Sequence, residues 1–501
     1  MADLQRFNPI TKRLGELANY LSVSVDPVIR EIAITGISSN SNSINEGDAF
    51  LALPGATAHG ATYIPIAVER GARAVITDNA GAQLSSAQKS AIPVLVIPNP
   101  RSQSGYLADW FFDSPSKAMY VAGITGTNGK TTTTYLLNQI WKFADRASGL
   151  IGTVGIQIAE DFYPAVRTTP EADVIQSILS VMQERHLRNV AMEASSHALV
   201  QNRLDGVKFA AAGFTNLTQD HLDFHGDMEH YYLAKKSLFT AEFSEHAFVN
   251  IDNAFGQRLA GEISIPTSTL SKDNRKATWY FDEIKPLENG YEVSIRGEGG
   301  VLIEGTVKLA GSFNLENTLL AVAISVNSGV DPLIVGQALA KLTGAPGRLE
   351  RIECGQSFTA LVDYAHTPDA VKQVLSALRS GKSGRLIGVL GCGGDRDQSK
   401  RPLMGKELLA GCDVAVFTSD NPRSEDPMSI LKEMTGALNV VAPSQVIPER
   451  AAAIDYAVSI AQPGDVLVVL GKGHESGQEI NGVVTPFSDQ QVLRDAIEAG
   501  R

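Results

Sequence analysis

The stretch Gly123-Ile-Thr-Gly-Thr-Asn-Gly-Lys-Thr-Thr-Thr-Thr134 constrains the fold more than any other part of the chain. Met119-Tyr-Val-Ala-Gly123 leads in with apolar strand character, and Tyr135-Leu-Leu-Asn-Gln-Ile-Trp141 leads out at helical spacing. A strand, a glycine-rich turn and a helix N-terminus make a phosphate cradle: free N–H groups and the positive end of the helix dipole attract anionic oxygens. Lys130 can then reach a terminal phosphate, and the Thr131 hydroxyl can bind Mg2+. The strict form of this loop has glycine five residues before Gly129, where this chain has Ile124; the nearby glycines are Gly123 and Gly126. The stretch is therefore a variant P-loop. A purely structural glycine turn is the alternative reading.

At 501 residues the chain exceeds one ordinary domain, and its patterns predict an α/β fold in three parts. Residues 1–103 read as a small α/β domain, with strands at Ala49–Leu53, Ala74–Thr77 and Val94–Ile97 and a helix at Ile64–Arg70. Pro98-Asn-Pro100 breaks this pattern. The polar run Ser38–Ser43 is either a solvated loop or a ligand contact. Residues 104–344 form the P-loop domain. Strands at Asn189–Met192, Ala210–Phe214 and Ala247–Ile251 alternate with helical patterns, as a parallel sheet requires. Ala277–Leu309 breaks the rhythm and reads as a small antiparallel β insertion at the sheet edge, with Glu288-Asn-Gly290 as its hairpin signal. Asn314–Ala323 reads as a helix. Residues 345–501 start a second, Rossmann-like α/β rhythm, with strands at Thr359–Val362, Leu386–Leu390, Val414–Phe417 and Val466–Leu470. Each of these strands runs into a polar or glycine-rich turn, and open parallel sheets bind ligands beyond the carboxyl ends of their strands.

The net charge of −12 argues against nucleic-acid or anionic-membrane partners, which call for basic patches. Cys354, Cys392 and Cys412 are isolated, as expected in a reducing cytoplasm. The first residues, Met1 to Phe7, lack an apolar leader, and no run approaches the roughly 20 apolar residues of a membrane span. The expectation is a cytoplasmic protein with no membrane anchor.

Several residues could carry chemistry. Glu193 follows a strand that can neighbour the P-loop strand, so it is either an Mg2+ ligand or a strand-end cap. Thr218–Gly226 packs two acids and two histidines into one loop. The acids and the absence of a nearby cysteine favour a hard cation over zinc, with His221 ahead of His225 as ligand. Lys235 and Lys236 lie on a helix predicted over Tyr231–Phe239, where the residues alone suggest a solvated surface. Arg396 and Arg423 sit in two of the C-terminal strand-end turns and Glu475 in a third. Opposed charges of this kind fit a zwitterionic ligand or an inter-loop salt bridge.

Taken together, Thr125–Thr131, the Glu193, Asn216 and His221 segments, Asn314 and Asn317, Gly347-Arg348, Asp363–His366 and Gly471–Glu475 resemble the Mur ligases in order along nearly the whole chain. These are ATP-dependent amino-acid ligases of peptidoglycan precursor synthesis. The resemblance is closest to the type that extends UDP-N-acetylmuramoyl-L-alanyl-D-glutamate. Gly393–Asp397 and Asp420-Asn-Pro-Arg423 match the branch adding meso-2,6-diaminopimelate, whose distal carboxylate Arg423 can grip in a fork.

The resemblance implies an acyl-phosphate mechanism with ATP and two Mg2+ ions. Lys130, Glu193, His221 and Lys235 would be catalytic. Thr131 and Glu193 would serve one ion, and His221 and a carbamylated Lys235 the other. This reverses the surface reading of Lys235. ATP would lie on Gly126, Thr127, Asn128, Gly129, Lys130, Thr131 and Thr132, with Asn314, Arg348 and Asp363 across the domain interface. Diaminopimelate would meet Arg396, Asp420, Asn421, Pro422, Arg423, Gly471 and Glu475. The UDP-sugar dipeptide would meet Ser39, Ser41, Ala56, Thr57, Ala58, Thr168, Thr169, Ser195, Gln201 and Arg203. The chain departs from the family where Asn40-Ser41-Asn42 stands in place of Asp-Ser-Arg. A monomer is implied. The alternatives are the lysine-adding form, a folylpolyglutamate synthase of the same fold, or a non-catalytic nucleotide-binding scaffold.

Overall fold

The computed structural model describes residues 6–55, 57–287, 290–379 and 384–500. Ala56 and the hairpin signal's Glu288 and Asn289 lie outside the described residues, as do Met1 to Gln5. Three sheets organise the chain. The first is parallel, in the order Gly36–Ser38, Asp48–Leu51, Ala74–Thr77, Val94–Val96. Its core includes Leu107, Ala108, Phe111 and Phe112. These belong to helix Pro100–Phe111 and the residue after it, so the prolines at 98–100 open a helix. Pro at the first helical position costs no hydrogen bond.

The central sheet has 11 strands. The P-loop strand Tyr120–Thr125 sits between Asn189–Glu193 and Phe209–Phe214, parallel to both. Parallel strands buried on both faces need continuous apolar runs, which these have. The expected antiparallel segment is continuous with this sheet: Trp279–Leu287 pairs with Thr267–Ser271, and Gly290–Arg296 and Leu302–Val307 extend the edge. Helix Lys130–Phe143 forms despite four successive threonines, which are poor helix formers. Its Leu136, Leu137, Ile140 and Trp141 are buried against helix Phe313–Asn327 and the sheet, and burial of that face outweighs propensity.

The third sheet runs Glu350–Ile352, Thr359–Asp363, Val466–Leu470, Leu386–Cys392, Val414–Ser419, Gln445–Val446, parallel except for its first strand. The four turns singled out in the sequence all leave its carboxyl edge. A hairpin, Gly477–Ile480 with Val483–Pro486, was not foreseen.

Candidate active site

The first glycine of the turn, Gly126, comes two residues later than in the strict form. Ile124 is fully buried within the strand, paired with Glu193 on one side and Gly213 on the other. The turn itself depends on Gly126, at φ 149°, and Gly129, at φ 86°. A Cβ on Gly126 would lie 1.8 Å from Thr215 Oγ1, and one on Gly129 would lie 2.2 Å from Asn317 Oδ1. Lys130 Nζ donates to the carbonyls of Gly126 and Thr127, both at 2.8 Å.

Glu193 ends its strand and bonds the backbone of the neighbouring turn at Thr153 as well as the P-loop. It is fully buried and faces the P-loop. Its Oε2 accepts from Thr131 Oγ1 at 3.0 Å and Thr153 Oγ1 at 3.1 Å, and its Oε1 accepts from Thr153 N at 2.7 Å. Among the described residues there is no group of three or more His, Cys, Asp or Glu that could hold a metal. A carboxylate and a hydroxyl at the end of a phosphate cradle suit a hard cation that takes its other oxygens from phosphate and water. The donor set fits Mg2+ and does not fit zinc.

The loop after Phe209–Phe214 is laced to the P-loop. Asn128 N donates to Asn216 Oδ1 at 3.0 Å, and Thr215 Oγ1 donates to the Asn128 carbonyl at 2.6 Å. His221 adopts φ 53° beside Asp220, 3.4 Å away, with its ring edge-on to His197. Burial pushes its pKa down to about 4, so the ring is neutral at physiological pH. Lys235 is 1% exposed, which corrects the solvated-surface reading of the residues alone. Its Nζ donates to the Gly126 carbonyl at 2.8 Å and lies 4.6 Å from the Tyr231 ring centroid. Lys236 does face solvent and pairs with Glu262.

A cavity of about 750 Å³ joins these groups to the third sheet. Arg348 stacks over the Tyr364 ring at 4.5 Å and donates to Thr131 Oγ1 at 3.4 Å. Asn314 also lines the cavity, its side chain donating to the Ala310 carbonyl and accepting from Asn317. Asp363 lines it too, but its oxygens are engaged by the N–H groups of Leu349 and Ala365. Lys400 Nζ reaches Asp220 Oδ1 at 3.2 Å across the same interface.

Arg396 lines this cavity, whereas Asp420 to Arg423, Gly471 and Glu475 do not. They form a second cluster. Lys472, fully buried, donates to Asn421 Oδ1 at 2.9 Å and Glu475 Oε2 at 3.0 Å. Asn421 Nδ2 donates to the same Glu475 oxygen. Gly471, at φ 113°, leaves room for Asp420, whose Oδ2 would lie 2.6 Å from an added Cβ. The ion pair of this cluster, Lys472 with Glu475, lies within one turn. The inter-loop bridge foreseen as an alternative, from Arg396 or Arg423 to Glu475, is not formed among the described residues, and Arg423 pairs with Glu479 instead.

On the opposite side, Thr168 Oγ1 meets Thr153 Oγ1 at 3.0 Å, and Thr169 Oγ1 donates to the Glu193 carbonyl at 2.7 Å and lies 3.1 Å from Ser195 Oγ. Arg203 bonds Gln201, the Thr169 carbonyl and Glu171. Ser39 is spent on Asp173, through N at 2.7 Å and Oγ at 2.9 Å. Ser41 is buried, and Thr57 and Ala58 are exposed.

Three family models match in order: "Mur ligase family, catalytic domain" over residues 33–102, "Mur ligase middle domain" over 124–325 and "Mur ligase, glutamate ligase domain" over 347–473. The chain is 46% identical over 493 residues to the UDP-N-acetylmuramoyl-L-alanyl-D-glutamate–2,6-diaminopimelate ligase of Streptomyces coelicolor, covering 97% of this chain and 96% of that one. This chain belongs to the Mur ligase family. The ligase of the same name from Chromobacterium violaceum is 39% identical, with 95% and 97% covered. A solved structure titled as that ligase superimposes with a TM-score of 0.69 at 31% identity, covering 98% and 99%. The MurF ligase of Thermotoga maritima in complex with ADP shares the fold, with a TM-score of 0.63 at 18% identity over 93% and 97%.

Within this Mur ligase chain the structure adds groups that sequence reasoning missed. Thr153 makes two of the three hydrogen bonds described above to the Glu193 carboxylate, and the only signal was its place after strand Ser148–Ile151, on the same sheet edge as the P-loop. Tyr364 and Lys472 lay inside quoted motifs but were given no role. Among the described residues no helix is long and apolar enough to cross a membrane.

Proposed function

We propose that this chain joins meso-2,6-diaminopimelate to the D-glutamate of UDP-N-acetylmuramoyl-L-alanyl-D-glutamate, using ATP, in peptidoglycan precursor synthesis. The observation that carries the reading is the single cavity in which Lys130, Glu193, His221 and Lys235 from one domain face Arg348 and Arg396 from the next. A lone nucleotide-binding scaffold has no use for a buried lysine and a neutral histidine beside the phosphate cradle.

The P-loop N–H groups cradle the ATP phosphates. Lys130 exchanges the Gly126 and Thr127 carbonyls for the phosphoryl group in transfer, and Arg348 adds a second cation from the facing domain. The D-glutamate carboxylate, oriented by Thr168, Thr169, Ser195 and Arg203, attacks the terminal phosphorus and ADP leaves. The diaminopimelate amine then attacks the acyl carbon, and phosphate leaves from the tetrahedral intermediate. Thr131 and Glu193 would hold one Mg2+ ion, and His221 with Lys235, as its carbamate, a second; bound there, the ions neutralise charge on the phosphoryl oxygens. Arg423 would grip the distal carboxylate of diaminopimelate, with Asp420, Asn421 and Glu475 around its ammonium. Closure of the C-terminal domain would bring this cluster to the cavity.

The same reading takes residues 1–103, 104–344 and 345–501 as UDP-sugar, ATP and amino-acid domains of a cytoplasmic monomer. The test is phosphate release with UDP-N-acetylmuramoyl-L-alanyl-D-glutamate and ATP, comparing meso-diaminopimelate with lysine. Release that depends on diaminopimelate supports the proposal. Equal release with lysine overturns the choice of amino acid, and no amino-acid dependence overturns the ligase.

A further inference from the structure

The hairpin that sequence reading did not foresee is bonded to the loop that carries Arg423. Arg423 N donates to the Glu479 carbonyl at 3.0 Å, and Asn481 N donates back to the Arg423 carbonyl at 2.6 Å. Glu479 N donates to Asn421 Oδ1 at 3.1 Å, and Gln478 Nε2 donates to the Asp420 carbonyl at 2.7 Å. These bonds hold Arg423 at φ 53°, a left-handed conformation that a non-glycine residue keeps only when its surroundings over-determine it. They all run through backbone atoms of Glu479 and Asn481 or through the side chain of Gln478, so the carboxylate of Glu479 is not needed for them.

That carboxylate does something else. Glu479 Oε2 lies 3.4 Å from Arg423 Nε, while Arg423 Nη1 donates to the Gly394 carbonyl at 2.7 Å. The guanidinium is thus engaged on one edge by an anion and on another by a carbonyl. A two-pronged grip on an incoming carboxylate needs a pair of parallel N–H groups, so at least one of these partners has to yield. Glu479 is the one that can. Its side chain is 38% exposed and that of Arg423 is 23% exposed, so solvent and substrate reach the pair.

We infer that Glu479 is a positioning residue that acts through Arg423: its carboxylate occupies the guanidinium in the free enzyme and is displaced by the distal carboxylate of the amino-acid substrate. The inference rests on the reading of Arg423 given above. An amino acid without a distal carboxylate cannot displace Glu479. A substrate that has one must compete with it, and Glu479 weakens binding of the right substrate in exchange for keeping an unpaired guanidinium out of the empty site.

The test compares steady-state kinetics of the full-length wild type, Glu479→Gln, Glu479→Asp and Arg423→Ala, with meso-diaminopimelate and with lysine. For Glu479→Gln the KM for meso-diaminopimelate should fall by about three- to fivefold, the range set by a partly exposed ion pair. Its kcat and its KM for ATP should not change, and the KM for lysine should not fall. Glu479→Asp should stay near the wild type. A KM for diaminopimelate that is unchanged or raised in Glu479→Gln, while Arg423→Ala raises it strongly, overturns the competition and leaves the reading of Arg423 standing. An unchanged KM in Arg423→Ala overturns both.

Discussion

Lys130 and Lys235 direct their Nζ atoms at one and the same acceptor, the carbonyl oxygen of Gly126, each at 2.8 Å. Two ammonium groups on one neutral oxygen repel each other strongly away from water. Lys130 has a second acceptor in Thr127, whereas Lys235 lies against the Tyr231 ring. Burial, and then the charge of Lys130, hold the Lys235 amine well below the ordinary lysine range. A neutral amine is the form that adds carbon dioxide, losing a proton as the N–C bond forms. Lys235→Ala is therefore expected to abolish turnover and to leave ATP affinity, measured by calorimetry, nearly intact. A wild-type carbamate resonance from labelled bicarbonate should vanish in the variant, and a fully active Lys235→Ala would sink the carbamate proposal.

Gly126→Ala is expected to abolish ATP binding. The added Cβ would meet Thr215 Oγ1 at 1.8 Å, and φ is 149°. Overpacking of this kind costs about 1–3 kcal/mol, which should appear as a lower midpoint in chemical denaturation. Adding Thr215→Ala should recover part of the stability but not the binding, because the backbone of Asn216 also lies close, at 3.0 Å. Tight ATP binding by the single variant would show that the loop does not need its glycine.

Stability should fall as the solution is acidified below neutrality. His221 and His225 are both pushed from about 6.5 down to about 4, with desolvation the leading cause. Between those values the unfolded chain binds protons that the folded chain refuses, so stability rises with pH across the window and is lost as pH falls through it. The two shifts are equal, so the two rings should contribute equally; His225, buried with its Nε2 2.9 Å from Ser196 Oγ, is the one that can be replaced without touching the phosphate cradle. Urea titrations over this range should show the slope, and His225→Gln should flatten it. A slope unchanged by that substitution would move the proton uptake elsewhere.

Much of this was legible in the chain because local pattern and tertiary role agree. The P-loop strand and helix, the four strand-end turns of the third sheet and the neighbouring of Glu193 with the P-loop strand all follow from apolar runs ending in polar turns. What escaped depends on long-range packing. Lys235 looks like any helix lysine, and only the fold buries it. Thr153 is a threonine between Gly152 and Val154, and its worth comes from the carboxylate of Glu193, 40 residues on. Glu479 lies in a four-residue hairpin strand, Gly477–Ile480, where alternation is too short to set a register. Ile124 looked like a defect in a motif, yet it is an ordinary core residue of the strand before the turn.

The pair Arg450–Asp489 supplies the last prediction. Both side chains are fully buried, and their two hydrogen bonds are 2.7 Å long. Arg450 also donates to the carbonyls of Ser419, at 3.1 Å, and Leu470, at 3.0 Å. These are the residues immediately before Asp420 and Gly471, on strands that flank Leu386–Cys392. One guanidinium thus ties the roots of both amino-acid loops across the strand between them. Arg450→Met leaves Asp489 buried without a partner and should cost about 3–5 kcal/mol, read from denaturant unfolding. Arg450→Met with Asp489→Leu removes the charge altogether and should recover most of that stability, since well-packed apolar replacements of buried pairs are often neutral. The two carbonyls still lose their donor in the double variant. Its KM for diaminopimelate should therefore stay raised while its KM for ATP returns to the wild-type value. Recovery of stability and of both KM values together would reduce the pair to a packing feature with no part in shaping the loops.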